Sequence, residues 1–148
     1  MGRKSSRLTI PSTTLKLSAV REFVEKHARE YGFSADVVDQ MALAVDEACT
    51  NVIRHAYRGR KSGPVEIRIV EDADRFTVTI RDQGESFDFD HYKRPNLAEA
   101  IRARRGGGFG VDIMRRLMDL VEYERRGRFN EVHLTKFRNA DSNNSVKL

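Results

Sequence analysis

Two short runs joined by a polar turn constrain this chain more than any other feature of it. Val65, Ile67 and Ile69 alternate with Glu66 and Arg68, Phe76, Val78 and Ile80 alternate with Thr77, Thr79 and Arg81, and Asp72-Ala-Asp74 lies between the runs. Successive strand side chains point to opposite faces, so this spacing predicts a β-hairpin with one wholly apolar side. A sheet of that kind has to be covered on that side.

The cover is written upstream. Ser18 can cap a helix in which Val20, Phe23, Val24, Ala28 and Tyr31 recur at helical spacing, with Gly32 as its stop. A second helix follows from a Ser34 cap, carries Val38, Met41, Val45, Ala48, Val52 and Ala56 on one stripe, and runs out near Tyr57 before the loop from Arg58 to Pro64. Arg7 to Leu17 has β-favouring residues interrupted by Pro11 and Ser12, which predicts one irregular strand or two short ones at a sheet edge.

Beyond the hairpin, Phe87 to Gly108 has little consistent period and contains Pro95, Asn96 and a triple glycine. We expect a long mobile connection there, with one helical turn around Leu97 to Ala103. Val111, Ile113, Met114, Leu117 and Leu120 are helical in spacing again, and strands around Val121 to Glu124 and Glu131 to Phe137 flank Arg126-Gly127. The order β, α, α, β, β, connection, α, β, β implies an α+β fold, a two-layer sandwich with helices on one face of a single sheet. One domain over residues 7 to 138, with polar termini at 1 to 6 and 139 to 148, fits the 148-residue length and 39% apolar content.

Composition removes several function classes. No apolar run approaches the ~18 residues of a spanning helix, and the polar start from Met1 to Arg7 does not have the form of a secretory signal. The expected location is the cytoplasm, with no membrane contact. A lone cysteine, Cys49, allows no internal disulfide and sits within an apolar helical stripe, where packing explains it better than catalysis. The net charge of +5 comes from cations interleaved with 22 acids, which favours a solvated surface, meeting an acidic protein, over a nucleic-acid groove.

Three places carry chemistry. Glu47 and Asn51 are four residues apart and so project from one side of the second helix. A carboxylate there can take a proton from an attacking hydroxyl and a carboxamide oxygen can ligate Mg²⁺, although an ordinary exposed pair fits the spacing too. Asp82 continues the inward alternation of Phe76, Val78 and Ile80. A carboxylate on an apolar face needs donors. An adenine amino group, with Gly84 allowing close approach of the ring, supplies one; a turn in which Asp82 caps Gln83-Gly84 is the other explanation. Gly106, Gly107, Gly108 and Gly110 precede or open the helix from Val111, where backbone N–H groups and the helix N-terminus suit phosphate oxygens. A flexible linker is the plainer alternative, and no Walker pattern is present.

Taken together these residues resemble the GHKL ATPase superfamily, and within it the anti-sigma factor serine/threonine kinases of the RsbW and SpoIIAB type. The likeness is carried by L-A-V-D-E-A-C-T-N-V-I-R-H-A-Y from Leu43 to Tyr57, D-Q-G-E-S-F-D-F-D from Asp82 to Asp90, G-G-F-G-V-D-I-M-R-R-L-M-D from Gly107 to Asp119, and L-T-K-F from Leu134 to Phe137. Ser86 stands where the wider superfamily often has a second glycine, in the manner of the RsbW type.

The resemblance implies a Bergerat-type fold, with a mixed, mostly antiparallel sheet. It implies Glu47 as catalytic base, Asn51 as Mg²⁺ ligand, Asp82 as adenine reader, Gly84 in the base pocket and Thr135 as a second support for adenine. Gly107, Gly108 and Gly110, with Val111, would hold the phosphates of ATP or ADP beneath a lid from Asp90 to Gly107. Among the lid arginines Arg102, Arg104 and Arg105, Arg105 is assigned to the γ-phosphate, with a solvated basic face as the bland alternative. Such proteins sequester a sigma factor, phosphorylate an anti-anti-sigma protein of the STAS type on serine or threonine, and form homodimers. A non-catalytic module that holds ATP as a structural ligand while sequestering its partner is the rival expectation, and the retention of both Glu47 and Asn51 favours the enzyme. The detached catalytic domain of a histidine kinase fits less well, because the D-x-G-x-S-F-D turn is untypical there.

Overall fold

The computed structural model describes residues 3–85 and 110–138. Five strands, β1 (Lys4–Pro11), β2 (Pro64–Glu71), β3 (Arg75–Asp82), β4 (Leu120–Arg126) and β5 (Phe129–Phe137), form one sheet in the order β1-β2-β3-β5-β4. All four pairings are antiparallel, so the parallel component of the expected mixed sheet is absent among the described residues. Helices α1 (Leu17–Tyr31), α2 (Ala35–Asn51) and α3 (Gly110–Leu117) complete the sandwich. The predicted hairpin is β2 and β3, with Ile67 opposite Ile80 and Ile69 opposite Val78. Its inward residues Val65, Ile67, Ile69, Phe76, Val78 and Ile80 are fully buried.

The helices bury the stripes that the sequence marks. Val20, Val24 and Ala28 of α1, Met41, Val45 and Ala48 of α2, and Val111 and Met114 of α3 join the hairpin residues and Leu134 in one core. Burying a side chain of the Val, Leu or Ile class removes it from water at a gain of ~1.5–3 kcal/mol, so this cluster and not local propensity holds the layers together. Cys49 is part of it, and burial pushes its thiol far above the ordinary range, which leaves it packing rather than reactive.

Helix ends follow the sequence closely, with one difference. Gly32 adopts φ 108°, a left-handed stop for α1, and the Ser34 hydroxyl accepts from the Val37 N–H at the start of α2. Ser18 is not a cap. The chain turns earlier, through a 3-10 segment Thr14–Lys16 whose cap is the Thr13 hydroxyl accepting from Leu15 N–H, and runs directly into α1 at Leu17. After Asn51 the helix widens into a π-helical turn, Val52–Ala56.

The other face of the sheet is polar. Thr79, Glu131 and His133 lie on it, and the His133 Nε2 sits 3.2 Å from Glu124 and 3.4 Å from Glu131. Both carboxylates also have arginine partners, Arg126 for each and Arg81 for Glu131.

Candidate functional site

The site forms where α2 ends against the last residues of β3 and the first of β5. Asp82 completes the inward side of β3 and is 3 % exposed, as its alternation with Phe76, Val78 and Ile80 requires. Its Oδ1 accepts from the Gly84 N–H at 2.8 Å and from Asn130 Nδ2 at 2.9 Å. Burial pushes the Asp82 carboxyl above its ordinary range, and the Asn130 bond, the Gly84 bond and the Arg125 charge pull against that shift. The turn explanation and the inward-carboxylate explanation of Asp82 are therefore both geometrically realised, since one oxygen caps Gly84 while the side chain remains buried.

Gly84 is required by close backbone approach. A Cβ placed there would lie 2.3 Å from the Ala56 carbonyl oxygen, and the next residue, Glu85, donates its N–H to that same oxygen at 2.8 Å. The loop after β3 is thus clamped onto the π-helical turn after α2. Tyr57 is a second clamp: its hydroxyl donates to the Pro64 carbonyl (2.6 Å) and accepts from Gln83 N–H (2.8 Å).

A cavity opens beside Asp82, lined by Ala48, Asn51, Val52, Ala56, Glu85, Met114, Tyr123, Asn130 and Val132 together with Asp82 itself. Its walls are mainly aliphatic, and Asn51, Asp82, Glu85, Tyr123 and Asn130 are its polar lining residues. The enclosed space is about 30 Å³, enough for a water or two, so a larger occupant enters by displacing flexible side chains such as Met114. Asn51 from α2 and Asp82 from β3 are brought into this one cavity although they are distant in sequence. Glu47 sits one turn up the same helix, half-buried and outside the lining. Desolvation first, and the Asp46 charge second, push its carboxyl above the ordinary range, while Arg54 opposes them.

Thr135 is not brought to the cavity. It is an odd number of residues from Asn130 on β5 and points to the opposite face, where it is paired with Thr77 and the two hydroxyls share a hydrogen bond of 3.0 Å. Asn130 occupies the place beside Asp82 instead, directly opposite it in register. Sequence reasoning missed Asn130, and the signal was available: it shares the inward parity of Val132 and Leu134, so it is a polar residue at a core position. Val111 is buried in the core and does not line the cavity, and Gly110 is the first residue of α3. Arg105, Gly107, Gly108 and the expected lid lie outside the described residues.

A family model for the histidine kinase-like ATPase domain matches residues 10–136, and the chain belongs to that family. It is 32% identical over 139 residues to the serine-protein kinase RsbW of Bacillus subtilis, covering 90% of this chain and 86% of the relative. It is 35% identical over 119 residues to the serine-protein kinase RsbW of Bacillus licheniformis, covering 77% and 73%. Among solved structures it resembles the RsbU and RsbW domains of Rv1364c from Mycobacterium tuberculosis, with a TM-score of 0.65 and 14% identity over 90% of this chain and 32% of that one. That last likeness concerns the fold.

Proposed function

We propose that this protein is an ATP-dependent serine/threonine protein kinase that acts as an anti-sigma factor in a partner switch. The observation that carries this reading is the meeting of Asn51 and the buried Asp82 in one aliphatic cavity in a chain so similar to serine-protein kinases. The buried Asp82 carboxylate at this cavity can accept from the amino group of adenine once the aliphatic walls open, and Gly84 lets the loop after β3 lie against the Ala56 carbonyl. The Asn51 carboxamide at the same cavity is a neutral oxygen donor of the kind that suits Mg²⁺, which when bound neutralises phosphate charge. The residue choices therefore fit both ATP or ADP and the metal.

Glu47 is the general base in this scheme. It accepts the proton of a serine or threonine hydroxyl as that oxygen bonds to the γ-phosphorus, and the bond to the ADP oxygen breaks. A carboxyl shifted upward by desolvation, yet half-open to a partner protein, is suited to this transfer. Arg105, Gly107, Gly108 and Gly110 complete the phosphate side. The partners are a sigma factor and an anti-anti-sigma protein of the STAS type, the working form is a homodimer, and the compartment is the cytoplasm.

The test is single-turnover transfer from labelled ATP to the co-expressed antagonist. Glu47→Gln keeps the side chain's shape and removes its basicity, so transfer should fall ~10²–10⁴-fold while nucleotide affinity stays within a few fold. Unchanged transfer in that variant removes Glu47 from the chemistry. No transfer by the parent to any such antagonist would favour a sequestering module that binds ATP without using it.

A further inference from the structure

Resting on the reading of the cavity as a purine nucleotide site, we infer that Asn130, held in one orientation by Tyr123 and Arg125, is the positioning residue that makes the pocket accept a 6-amino purine and refuse a 6-oxo purine. The orientation of its side chain is forced by chemistry. On one side its Oδ1 accepts from the Arg125 guanidinium at 2.7 Å and the Tyr123 hydroxyl at 3.0 Å. On the other its Nδ2 donates to Asp82 Oδ1 at 2.9 Å, to the Gly84 carbonyl at 3.0 Å and more weakly to the Glu85 carbonyl at 3.4 Å. Arginine can only donate and carbonyls can only accept, so the reversed amide would lose the Arg125, Gly84 and Glu85 bonds and that to an ionised Asp82, keeping at most the Tyr123 contact, whose hydroxyl can also accept.

A fixed donor pointed at Asp82 has a consequence for base choice. Asp82 is almost wholly buried, and a carboxylate in that setting drifts toward its protonated form unless donors hold the charge. Asn130 and the Gly84 N–H are those donors, and Arg125 on β4 adds a favourable charge. Among the described residues the other neighbours add no cation: Tyr57 after α2 is a neutral phenol, Glu85 after β3 is acidic, and α3 contributes the apolar Met114. An ionised Asp82 presents acceptors only. It can receive an amino N–H and meets a keto oxygen lone pair against lone pair. Without Asn130 the acid form gains ground, and a carboxylic acid can donate to a keto oxygen, which erases the distinction.

The experiment measures ADP and IDP affinity by calorimetry on the full chain between pH 5 and pH 8, for the parent and for Asn130→Leu, Asn130→Ser and Tyr123→Phe. The parent should prefer ADP by about tenfold or more, since a site built around one hydrogen-bond pattern rejects the other. Asn130→Leu should reduce that ratio toward one, most at the acidic end, whereas Asn130→Ser keeps a short donor and retains part of the preference. Tyr123→Phe should fall between parent and Asn130→Leu, and it and the serine variant decide the matter if the leucine variant does not fold. An ADP to IDP ratio that stays at the parental value in the folded variants at every pH overturns the role of Asn130 and leaves the nucleotide pocket standing. A parent that binds neither nucleotide overturns the pocket reading and this inference with it.

Discussion

Asp82 is held in the folded protein at an energetic cost. Burial raises its carboxyl above the ordinary value of 3.8, so the folded state holds the proton more tightly than the unfolded chain does. Below about 3.8 both states are protonated and there is no penalty; as pH rises through the higher folded value the unfolded chain ionises first, and the penalty is complete above it. Asp82→Asn keeps an oxygen that can accept from Gly84 and Asn130 and removes the charge. It should therefore be as stable as the parent or more so at pH 7, with the difference vanishing near pH 3.5 in urea titrations, while ADP affinity falls by ~1.5–3 kcal/mol. Equal ADP affinity in the two proteins would refute the assignment of Asp82 to adenine. Gly84→Ala tests the neighbouring contact. With a Cβ 2.3 Å from the Ala56 oxygen, the loop must shift, at about 1–3 kcal/mol of stability, read as a lower urea midpoint. The inward aspartate was legible from alternation alone, because a period of two assigns a face without knowledge of any partner strand. Alternation along β5 likewise gave Asn130 the inward face and Thr135 the outward one, a signal sequence reasoning missed; which inward β5 residue meets Asp82 was not legible, because that is a matter of register.

At the scale of elements, α2 does the most to assemble the site. Its Ser34 cap, its apolar stripe and its end near Tyr57 were readable in order, and the Glu47 and Asn51 spacing on it was too. The π-helical turn Val52–Ala56 was not, since no residue in Val52-Ile-Arg-His-Ala56 demands it. That turn brings the Ala56 carbonyl to Glu85 and places Tyr57 between Gln83 and Pro64. Tyr57→Phe leaves the Gln83 N–H and the Pro64 carbonyl without this partner, and should cost about 1–3 kcal/mol by denaturant titration. Nucleotide affinity should weaken with it if the clamp also holds the loop after β3; a variant with parental stability would show that the phenol hydroxyl is replaceable by water. The start of α1 illustrates a smaller failure of sequence logic. Ser18 has a good capping side chain, but the 3-10 turn capped by Thr13 already carries the chain into the helix.

At the scale of the whole molecule, the described residues form one apolar seam between a sheet and three helices, with a cavity at the end of the seam and a charged sheet face behind it. A ligand that binds only the folded form stabilises it by mass action, about 2.7 kcal/mol at a hundredfold excess over Kd. ADP should therefore raise the urea midpoint of the parent and raise that of Asp82→Asn by half as much or less at the same concentration, and a parent midpoint indifferent to ADP would count against the cavity as its site. The sequence by itself determined the α+β class, the hairpin and its buried face, the two long helices and their stops, and the inward aspartate, because each follows from periodicity or from a residue's own conformational limits. Only the tertiary structure decided that all four strand pairings are antiparallel, that Asn130 is the inward β5 residue set opposite Asp82, and that Asn51 shares a cavity with both. Those are matters of register and of distance between segments far apart in the chain, and local pattern carries no information on either.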